Sequence, residues 1–352
     1  MLLAGAQIVM EELLAHGVDT VFGYPGGAAL NLYDALYEYR GRIRHVMTAH
    51  EQGACHAADG YARSGGKTGV VFATSGPGAT NLVTGIATAW MDSTPLVAIT
   101  ANVASNLIGR DAFQEIYITG ITMPITKHNF LVSDPADISG AIRDAFRIAH
   151  SGRKGPVLVD ITKDATIGLS DYQARTPEPL PAPLCIDPEN AGRIAELIAS
   201  AERPVFYCGG GVIASESTPW VRQIAEKCQI PVCHSMMGAG VIPHDDPLNL
   251  GMVGMHGTVA ANLAVDRCDL LLAVGVRFPD RVALNPGRFA SSAKIVHIDA
   301  DRSELNKNVK TEVALRCDLY QALSAIDAAV KEASHPAWLS EIRAWQASCP
   351  AD

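Results

Sequence analysis

Short runs rich in Val, Ile, Leu and Ala alternate with longer helix-like segments along most of the chain. Such nearly continuous apolar runs are typical of strands buried on both faces of a parallel sheet, with helices packed on each side. The alternation therefore predicts an α/β fold with doubly wound parallel sheets. Before residue 170 the predicted strands are 19–24, 42–48, 68–74, 94–100 and 155–161, and the predicted helices are 4–17, 28–39, 50–64, 78–91 and 135–151.

A proline-rich segment interrupts this pattern. Its prolines, which favour a stiff extended connector, are Pro177, Pro179, Pro181, Pro183 and Pro188. Beyond them the pattern resumes, and the predicted strands are 203–208, 230–235, 268–276 and 294–299. A chain of 352 residues is also long for one ordinary core. We therefore predict two domains, 1–168 and 189–335, joined by a linker at 169–188.

Composition narrows the possible partners and compartment. The net charge of −9 disfavours nucleic acid and anionic membranes as partners. No apolar run approaches the roughly 18 residues of a membrane span. Glu11 and Glu12 interrupt the apolar start of the chain, which predicts an amphipathic helix rather than a signal peptide. The eight cysteines form no C-x-x-C pair and are typical of scattered reduced thiols, so we expect a cytoplasmic protein.

Four glycine-rich turns follow predicted strands, at 23–31, 75–81, 208–212 and 275–281. Ligands of doubly wound sheets bind at the carboxyl ends of strands, where glycine lets the backbone approach them closely. Ordinary turn chemistry explains each glycine equally well. The triple glycine in the third turn is compatible with a dinucleotide pyrophosphate or with a tight turn alone. None of the four matches the G-x-G-x-x-G pattern of nicotinamide binding.

Glu51 has two interpretations from its local pattern. Residues 48–51 fit the capping box S/T-x-x-E, in which Thr48 and Glu51 would satisfy free N–H groups at a helix start. Glu51 could instead be a functional carboxyl at the end of a strand. The pattern alone favours the capping box. The neighbouring His50 and His56 lack further ligands at metal-site spacing.

Several motifs, in this order, resemble acetolactate synthase, an enzyme of the thiamine diphosphate family. They are HEQGACHAADGYAR (50–63), TSGPGATNLVTGIATAWMDSTPLVAIT (74–100), IGRDAFQE (108–115) and TKHNFLV (126–132). The resemblance continues through GMHGT (254–258), GVRFPDR (275–281) and HID (297–299). It implies a thiamine diphosphate pyrimidine-binding domain followed by a central domain that resembles FAD-binding domains.

The resemblance implies roles for the first domain. Glu51 would hydrogen-bond the aminopyrimidine ring of the cofactor, so that the ring can take a proton from the reactive thiazolium carbon. On the substrate side it implies Phe113, Gln114 and Lys163. Further positions on the thiamine diphosphate side are Gly26, Gly27, Ala28, Thr74, Gly76 and Asn81.

The resemblance also implies an FAD site, without a redox role, that uses the second domain. Arginines and glycine turns suit a pyrophosphate group. The matching positions are Arg153, Gly209, Gly210, Gly211, Met255, His256, Gly257, Thr258, Gly275, Arg277, Arg281 and Asp299. Three departures from the family pattern are Ala101-Asn102-Val103 in place of Gly-Gln-Val, Gly85 in place of proline, and Pro279 in place of an acidic or amide residue.

Thiamine diphosphate enzymes also need a Gly-Asp-Gly motif with a later asparagine, which bind the diphosphate through Mg²⁺. The 352 residues contain no Gly-Asp-Gly. We therefore expect residues 336–352 to begin a linker to an absent diphosphate-binding domain, and the isolated chain to be inactive. Three explanations stay open: a fragment, half of a split enzyme completed by a separate chain, and a stand-alone protein that binds FAD or a partner without catalysis.

The expected reaction is that of a transferase in branched-chain amino acid biosynthesis. Two pyruvate molecules, or pyruvate and another 2-keto acid, would give acetolactate or its analogue and CO₂. The alternative within the family is another decarboxylase or carboligase acting on glyoxylate, sulfoacetaldehyde or an acyl-CoA. Because family active sites lie between subunits, we expect a homo-oligomer, at least a homodimer, formed through the first domain.

Overall fold

A computed structural model of the chain describes residues 1–349. The chain divides into two compact units, Met1–Pro181 (the first unit) and Ala182–Asp352 (the second unit). Each unit contains a six-stranded, wholly parallel sheet with helices on both faces. The α/β prediction is therefore confirmed, and the division falls inside the segment predicted as a linker, 169–188.

The first unit contains sixteen labelled helices and strands. They are β1 (Leu2–Ala4), α1 (Gly5–Ala15), β2 (Thr20–Gly23), α2 (Leu30–Glu38), β3 (Arg44–Met47), α3 (Glu51–Gly65), β4 (Gly69–Ala73), α4 (Pro77–Asn81), α5 (Val83–Asp92), β5 (Leu96–Asn102), α6 (Ile118–Thr122), β6 (His128–Val132), α7 (Ile138–His150), β7 (Pro156–Thr162), α8 (Lys163–Ile167) and β8 (Leu169–Asp171).

The order of strands in the first sheet is β3-β2-β4-β5-β7-β6. The chain runs outward from β2 to β3 and then returns to the other side of β2, so the switch point of the topology lies between β2 and β4. All five strands predicted for this unit are present. The predicted helix 78–91 is divided at Leu82 into α4 and α5. The short strands β1 and β8 form a separate antiparallel pair.

The second unit contains twelve labelled helices and strands among its described residues. They are α9 (Pro188–Ser200), β9 (Pro204–Cys208), α10 (Gly210–Ala214), α11 (Thr218–Cys228), β10 (Val232–His234), β11 (Asn249–Met252), α12 (Val259–Arg267), β12 (Leu270–Val274), β13 (Lys294–Asp299), β14 (Val313–Arg316), α13 (Leu319–Ala329) and α14 (Pro336–Ser348).

The order of strands in the second sheet is β11-β10-β9-β12-β13-β14. This is the doubly wound order of dinucleotide-binding folds, with a switch point between β9 and β12. The four predicted strands are present, at β9, β10, β12 and β13.

Residues 336–348, expected to begin a linker, form α14 as part of the second unit. The indole N–H of Trp338 donates to the carbonyl of Pro204 at 3.1 Å, which attaches α14 to the first residue of β9. Ile342, one turn later, is also buried. The rest of the expected linker, 350–352, lies outside the described residues.

Three further features concern membrane-spanning helices, metal ligands and cysteines. Within residues 1–349, no helix is long and apolar enough to cross a membrane. The same residues contain no group of three or more His, Cys, Asp or Glu side chains arranged to hold a metal ion. The described cysteines are free, and all but Cys185 and Cys349 are buried.

Candidate functional site

Glu51 is the first residue of α3, just after the carboxyl end of β3. The backbone is still extended at His50 (φ −158°, ψ 139°), and the His50 imidazole caps the helix by accepting the N–H of Gln52 at 3.1 Å. Thr48 instead donates its hydroxyl to the His50 carbonyl at 2.8 Å. The capping-box prediction is therefore wrong, because Thr48 lies two residues before the cap.

The Glu51 carboxyl is buried and does not cap the helix. The residue is only 7% exposed, and its Oε2 accepts the side-chain N–H of Asn81, at the end of α4, at 2.9 Å. Its Oε1 faces Gly78, where an added Cβ would lie 3.2 Å away. A buried carboxyl with one amide partner retains capacity to bind further donors or to hold a proton.

The loops after β2 and β4 meet beside this carboxyl, at the switch point of the first sheet. The backbone N–H of Ala28 donates to the Thr74 hydroxyl at 3.1 Å. A Cβ at Gly26 would lie 2.4 Å from the Thr74 methyl group, and a Cβ at Gly78 would lie 2.7 Å from it. Gly26 is thus required by the close approach of the two loops, and Gly78 by the close packing of the start of α4 on Thr74. A Cβ at Gly27 would meet nothing within 4 Å, so that glycine borders open space.

Two buried polar groups near this site have no hydrogen-bond partner in the part of the chain that the structure describes: Tyr33 Oη and His45 Nε2. Their rings meet edge to face at 5.2 Å. Burial raises the pKa of Tyr33 well above its usual value, and the charge of Glu51 raises it further. Burial also lowers the pKa of His45. Groups with pKa values shifted in this way are often found at functional sites.

The sequence analysis missed this pair. Tyr33 is one of several aromatic residues on an ordinary amphipathic helix, and His45 lies within a short strand, so neither carries a motif of its own. Only the fold, which brings α2 and β3 together beside Glu51, distinguishes them.

The loop that carries Phe113 and Gln114 approaches the same switch point. The Gln114 backbone is left-handed (φ +59°) and packs so tightly on Gly76 that a Cβ there would lie 2.6 Å from the Gln114 carbonyl oxygen. Glu115 holds the loop by accepting the N–H groups of Gly109 and Ala112, and these bonds lower its pKa. Phe113 is 87% exposed.

The structure thus brings Gly26, Ala28, Thr74, Asn81 and Glu51 together and places the Gln114 backbone beside Gly76. Phe113 and Lys163 are exposed. Lys163 begins α8, where its N–H donates to the carbonyl of Val103 at 3.4 Å.

In the second unit, the predicted glycines lie at the other switch point. A Cβ at Gly209 would lie 2.0 Å from the carbonyl oxygen of Gly275, and a Cβ at Gly211 would lie 2.7 Å from the Gly275 Cα. Gly275 is itself left-handed, at φ +60°. The packing of one turn on the other is therefore sufficient to explain these three glycines.

The remaining second-unit positions follow neighbouring strands at the same edge of the sheet. Thr258 caps α12 by accepting the N–H of Ala261 at 3.0 Å. Met255 pairs its N–H with the carbonyl of Arg281 at 2.8 Å. Met255, His256, Gly257 and Thr258 follow β11, Arg277 and Arg281 follow β12, and Asp299 is the last residue of β13.

Arg153, the remaining predicted FAD-side residue, belongs to the first unit, between α7 and β7. Its guanidinium lies 5.9 Å from the centre of the Trp90 ring, and its Nε donates to the Ser93 hydroxyl at 2.8 Å.

Comparison with known proteins defines the class to which this fold and site belong. Residues 3–121 match the N-terminal TPP binding domain of thiamine pyrophosphate enzymes, and residues 191–326 match the central domain of the same enzymes. The chain therefore belongs to the thiamine pyrophosphate enzyme family, and each unit contains one of its domains.

Within that family, the chain is similar to large subunits of acetolactate synthase. It is 49% identical over 355 aligned positions to a probable acetolactate synthase large subunit of Methanocaldococcus jannaschii, covering 96% of this chain and 58% of the relative. The large subunit of Parasynechococcus marenigrum is 47% identical over 363 positions, covering 99% and 58%. An acetolactate synthase of Mycobacterium bovis is 48% identical over 346 positions, covering 97% and 56%. The chain thus spans less than three fifths of the length of these relatives.

The residues around Glu51 fit the pyrimidine ring of thiamine diphosphate. An aminopyrimidine carries ring nitrogens and an amino group that need carboxyl, amide or hydroxyl partners. Glu51 and Asn81 supply the carboxyl and the amide, and the buried Tyr33 hydroxyl is an additional group without a partner within residues 1–349. Gly27 leaves the adjacent loop open to a flat ring.

Proposed function

We propose that the chain provides the pyrimidine-binding and central domains of an acetolactate synthase-like carboligase, which joins two pyruvate molecules into 2-acetolactate and CO₂. The observation that carries this proposal is the buried Glu51 carboxyl, held by Asn81 at the switch point of the unit that matches the TPP binding domain. The similarity to large subunits of acetolactate synthase supports this choice over other members of the family.

Thiamine diphosphate, when bound, supplies a carbon nucleophile that adds to a 2-keto acid and stabilises the charge left when CO₂ departs. The chain's own contribution is to bind and orient the pyrimidine ring. Glu51 would share a proton with a ring nitrogen, and Asn81 holds the carboxyl in one direction. The Gly26–Ala28 loop, attached to Thr74 by the Ala28 N–H, would contact the ring. Burial removes competing water from the carboxyl and strengthens its hydrogen bond.

The substrate side is assigned to the loop with Phe113 and Gln114, together with Lys163. The ammonium group of Lys163 is exposed and suits the carboxylate of a 2-keto acid. The exposed Phe113 suits an apolar wall that a second subunit would complete. We infer that the chain acts as a homo-oligomer through its first unit, and that a Gly-Asp-Gly segment outside these 352 residues binds the diphosphate with Mg²⁺.

FAD is proposed to bind at the carboxyl edge of the second sheet. Its doubly wound order places two glycine turns at the switch point, where dinucleotides bind in folds of this class. Arg277 and Arg281 are the candidates for the pyrophosphate. The same FAD site also supports the competing hypothesis, in which the chain is a non-catalytic FAD- or partner-binding protein.

The test is acetolactate formation from pyruvate with thiamine diphosphate, Mg²⁺ and FAD. The chain is mixed with the segment of the Methanocaldococcus jannaschii relative that follows the aligned region. We expect product, with a loss of roughly 10²–10⁴-fold in Glu51→Gln because proton transfer is impaired. Glu38→Gln, an exposed glutamate of the same unit, is the matched control and should retain activity.

Two results would contradict this proposal, one its assignment of Glu51 and the other the carboligase activity. Equal rates for the wild-type chain and Glu51→Gln would remove the assigned role of that carboxyl. A chain that binds FAD but yields no acetolactate in any mixture would favour the non-catalytic flavin-binding hypothesis.

A further inference from the structure

A buried polar cluster lies at the carboxyl ends of β5 and β7. Asp160 is 2% exposed, and its two carboxyl oxygens accept the Thr100 hydroxyl at 2.7 Å and the Asn102 side-chain N–H at 2.6 Å. Thr100 lies directly opposite Asp160 in the parallel register, and Asn102 opposite Thr162. Because side chains alternate between faces along a strand, these four project from one face of the sheet.

The hydrogen bonds continue from this cluster into the loop after β5. The other side-chain atom of Asn102, Oδ1, accepts the N–H of Val103 at 2.7 Å. The Val103 carbonyl in turn accepts the N–H of Lys163 at 3.4 Å. Two residues later, the N–H of Ser105 donates to the carboxylate of Asp164 at 2.9 Å. The start of the loop and the start of α8 are thus joined at two points, Val103 to Lys163 and Ser105 to Asp164.

Sheet stability does not require this cluster. A buried carboxyl is costly to desolvate, and apolar side chains would fill the same volume without that penalty. A polar pair satisfied on every side instead selects one arrangement of the groups that it joins.

We propose that Asp160 and Asn102 are positioning residues that fix the loop carrying Phe113 and Gln114 relative to Lys163. The inference rests on the proposed function for the substrate-side role of those three residues. The hydrogen-bonded connection itself is a property of the ligand-free chain. It is therefore testable separately from catalysis.

The test is amide hydrogen exchange of the ligand-free, full-length chain. Asn102→Asp places two carboxyl groups face to face and removes the donor to Asp160. We expect exchange in 103–117 and 163–167 to become at least about tenfold faster, as expected for local opening, with little change in α7. Adding Asp160→Asn restores the pairing with the roles exchanged, and the double variant should return to the wild-type rates.

Ile161→Val is the matched control, because it trims a buried side chain of β7 that faces away from the cluster. It should not accelerate hydrogen exchange selectively in residues 103–117 and 163–167. The proposal is overturned if Asn102→Asp leaves both segments at wild-type rates, if the double variant stays fast, or if Ile161→Val gives the same local pattern. If Asn102→Asp does not fold, the double variant alone decides, since it must fold and exchange like the wild type.

The two proposals fail in different ways. An unchanged acetolactate rate in Glu51→Gln would remove the role assigned to Glu51, and no acetolactate in any mixture would remove the carboligase assignment; both leave the exchange result standing. Failure of the exchange test would leave the Glu51 assignment untouched.

Discussion

Replacing Asp160 with asparagine should change how the stability of the first unit depends on pH. Burial raises the pKa of this carboxyl from 3.8 to about 6, against the lowering effect of its bonds to Thr100 and Asn102. At about 1.4 kcal/mol per tenfold change in an equilibrium constant, this corresponds to about 3 kcal/mol. The folded form binds a proton more readily than the unfolded chain. The stabilisation is therefore complete below about pH 3.8 and is lost as the pH rises through about 6.

His150 contributes a slope of the opposite sign over the same range. Burial, with the charges of Lys154, Lys127 and His16, lowers its pKa from 6.5 to about 4. The unfolded chain therefore takes up this proton first, and the fold loses stability as the pH falls from 6.5 to 4. The imidazole is partly exposed, so its contribution is discounted to about 2 kcal/mol. The two slopes nearly cancel in the wild type, and only the difference between wild type and variant isolates Asp160.

The assay is urea unfolding followed by circular dichroism, at constant ionic strength, from pH 4.5 to 7.5. The transition of the second unit, which lacks Asp160, is the internal reference. Relative to the wild type, Asp160→Asn should gain about 2 kcal/mol in free energy of unfolding across this range, the part of the total that titrates there. The lost hydrogen-bond pattern adds an offset that does not vary with pH. A difference that stays constant with pH would refute the reasoning.

Three further changes test the packing of the two units by thermal unfolding. Gly209→Ala should destabilise the second unit by roughly 1–3 kcal/mol, because its Cβ would lie 2.0 Å from a facing carbonyl oxygen. Gly192→Ala, the control at a helical site with no atom within 4 Å, should stabilise the unit by about 0.5–1 kcal/mol. Equal effects of the two substitutions would contradict the close packing of Gly209 on Gly275. Arg143→Met should cost the first unit about 3–5 kcal/mol, because it leaves the fully buried carboxylate of Glu12 without its ion pair, and a loss below about 1 kcal/mol would contradict this. Trp338→Phe should cost the second unit about 1 kcal/mol by removing the indole donor, whereas no change would argue against α14 as part of that unit.

The fold was predictable wherever a strand is buried on both faces. Strands such as β4 and β12 are apolar throughout, and the sequence pattern located them. The missed strands lie at the edges of the sheets or outside them. β6 begins His128-Asn129, and β11 begins with Asn249 and contains Gly251, so neither carries the apolar signal of a central strand.

The candidate site was predictable as far as motifs extend. Glu51 and the glycine loops were located by their pattern and by the family resemblance. The capping box failed because Thr48 and Glu51 have the right spacing in sequence, while the chain stays extended through His50. Tyr33 and the Asp160–Asn102 pair had no motif. Their significance comes from partners that are distant in sequence, which only the fold brings together.

The most direct test of the Glu51 site is ligand-observed saturation-transfer NMR with thiamine diphosphate, since this method detects weak binding and reports which part of the ligand touches the protein. The account predicts the strongest saturation at the pyrimidine ring proton and methyl group, weaker saturation at the thiazolium side, and loss of the pyrimidine signal in Glu51→Gln but not in Glu38→Gln. Saturation spread evenly over the ligand, or a pyrimidine signal unchanged in Glu51→Gln, would contradict it.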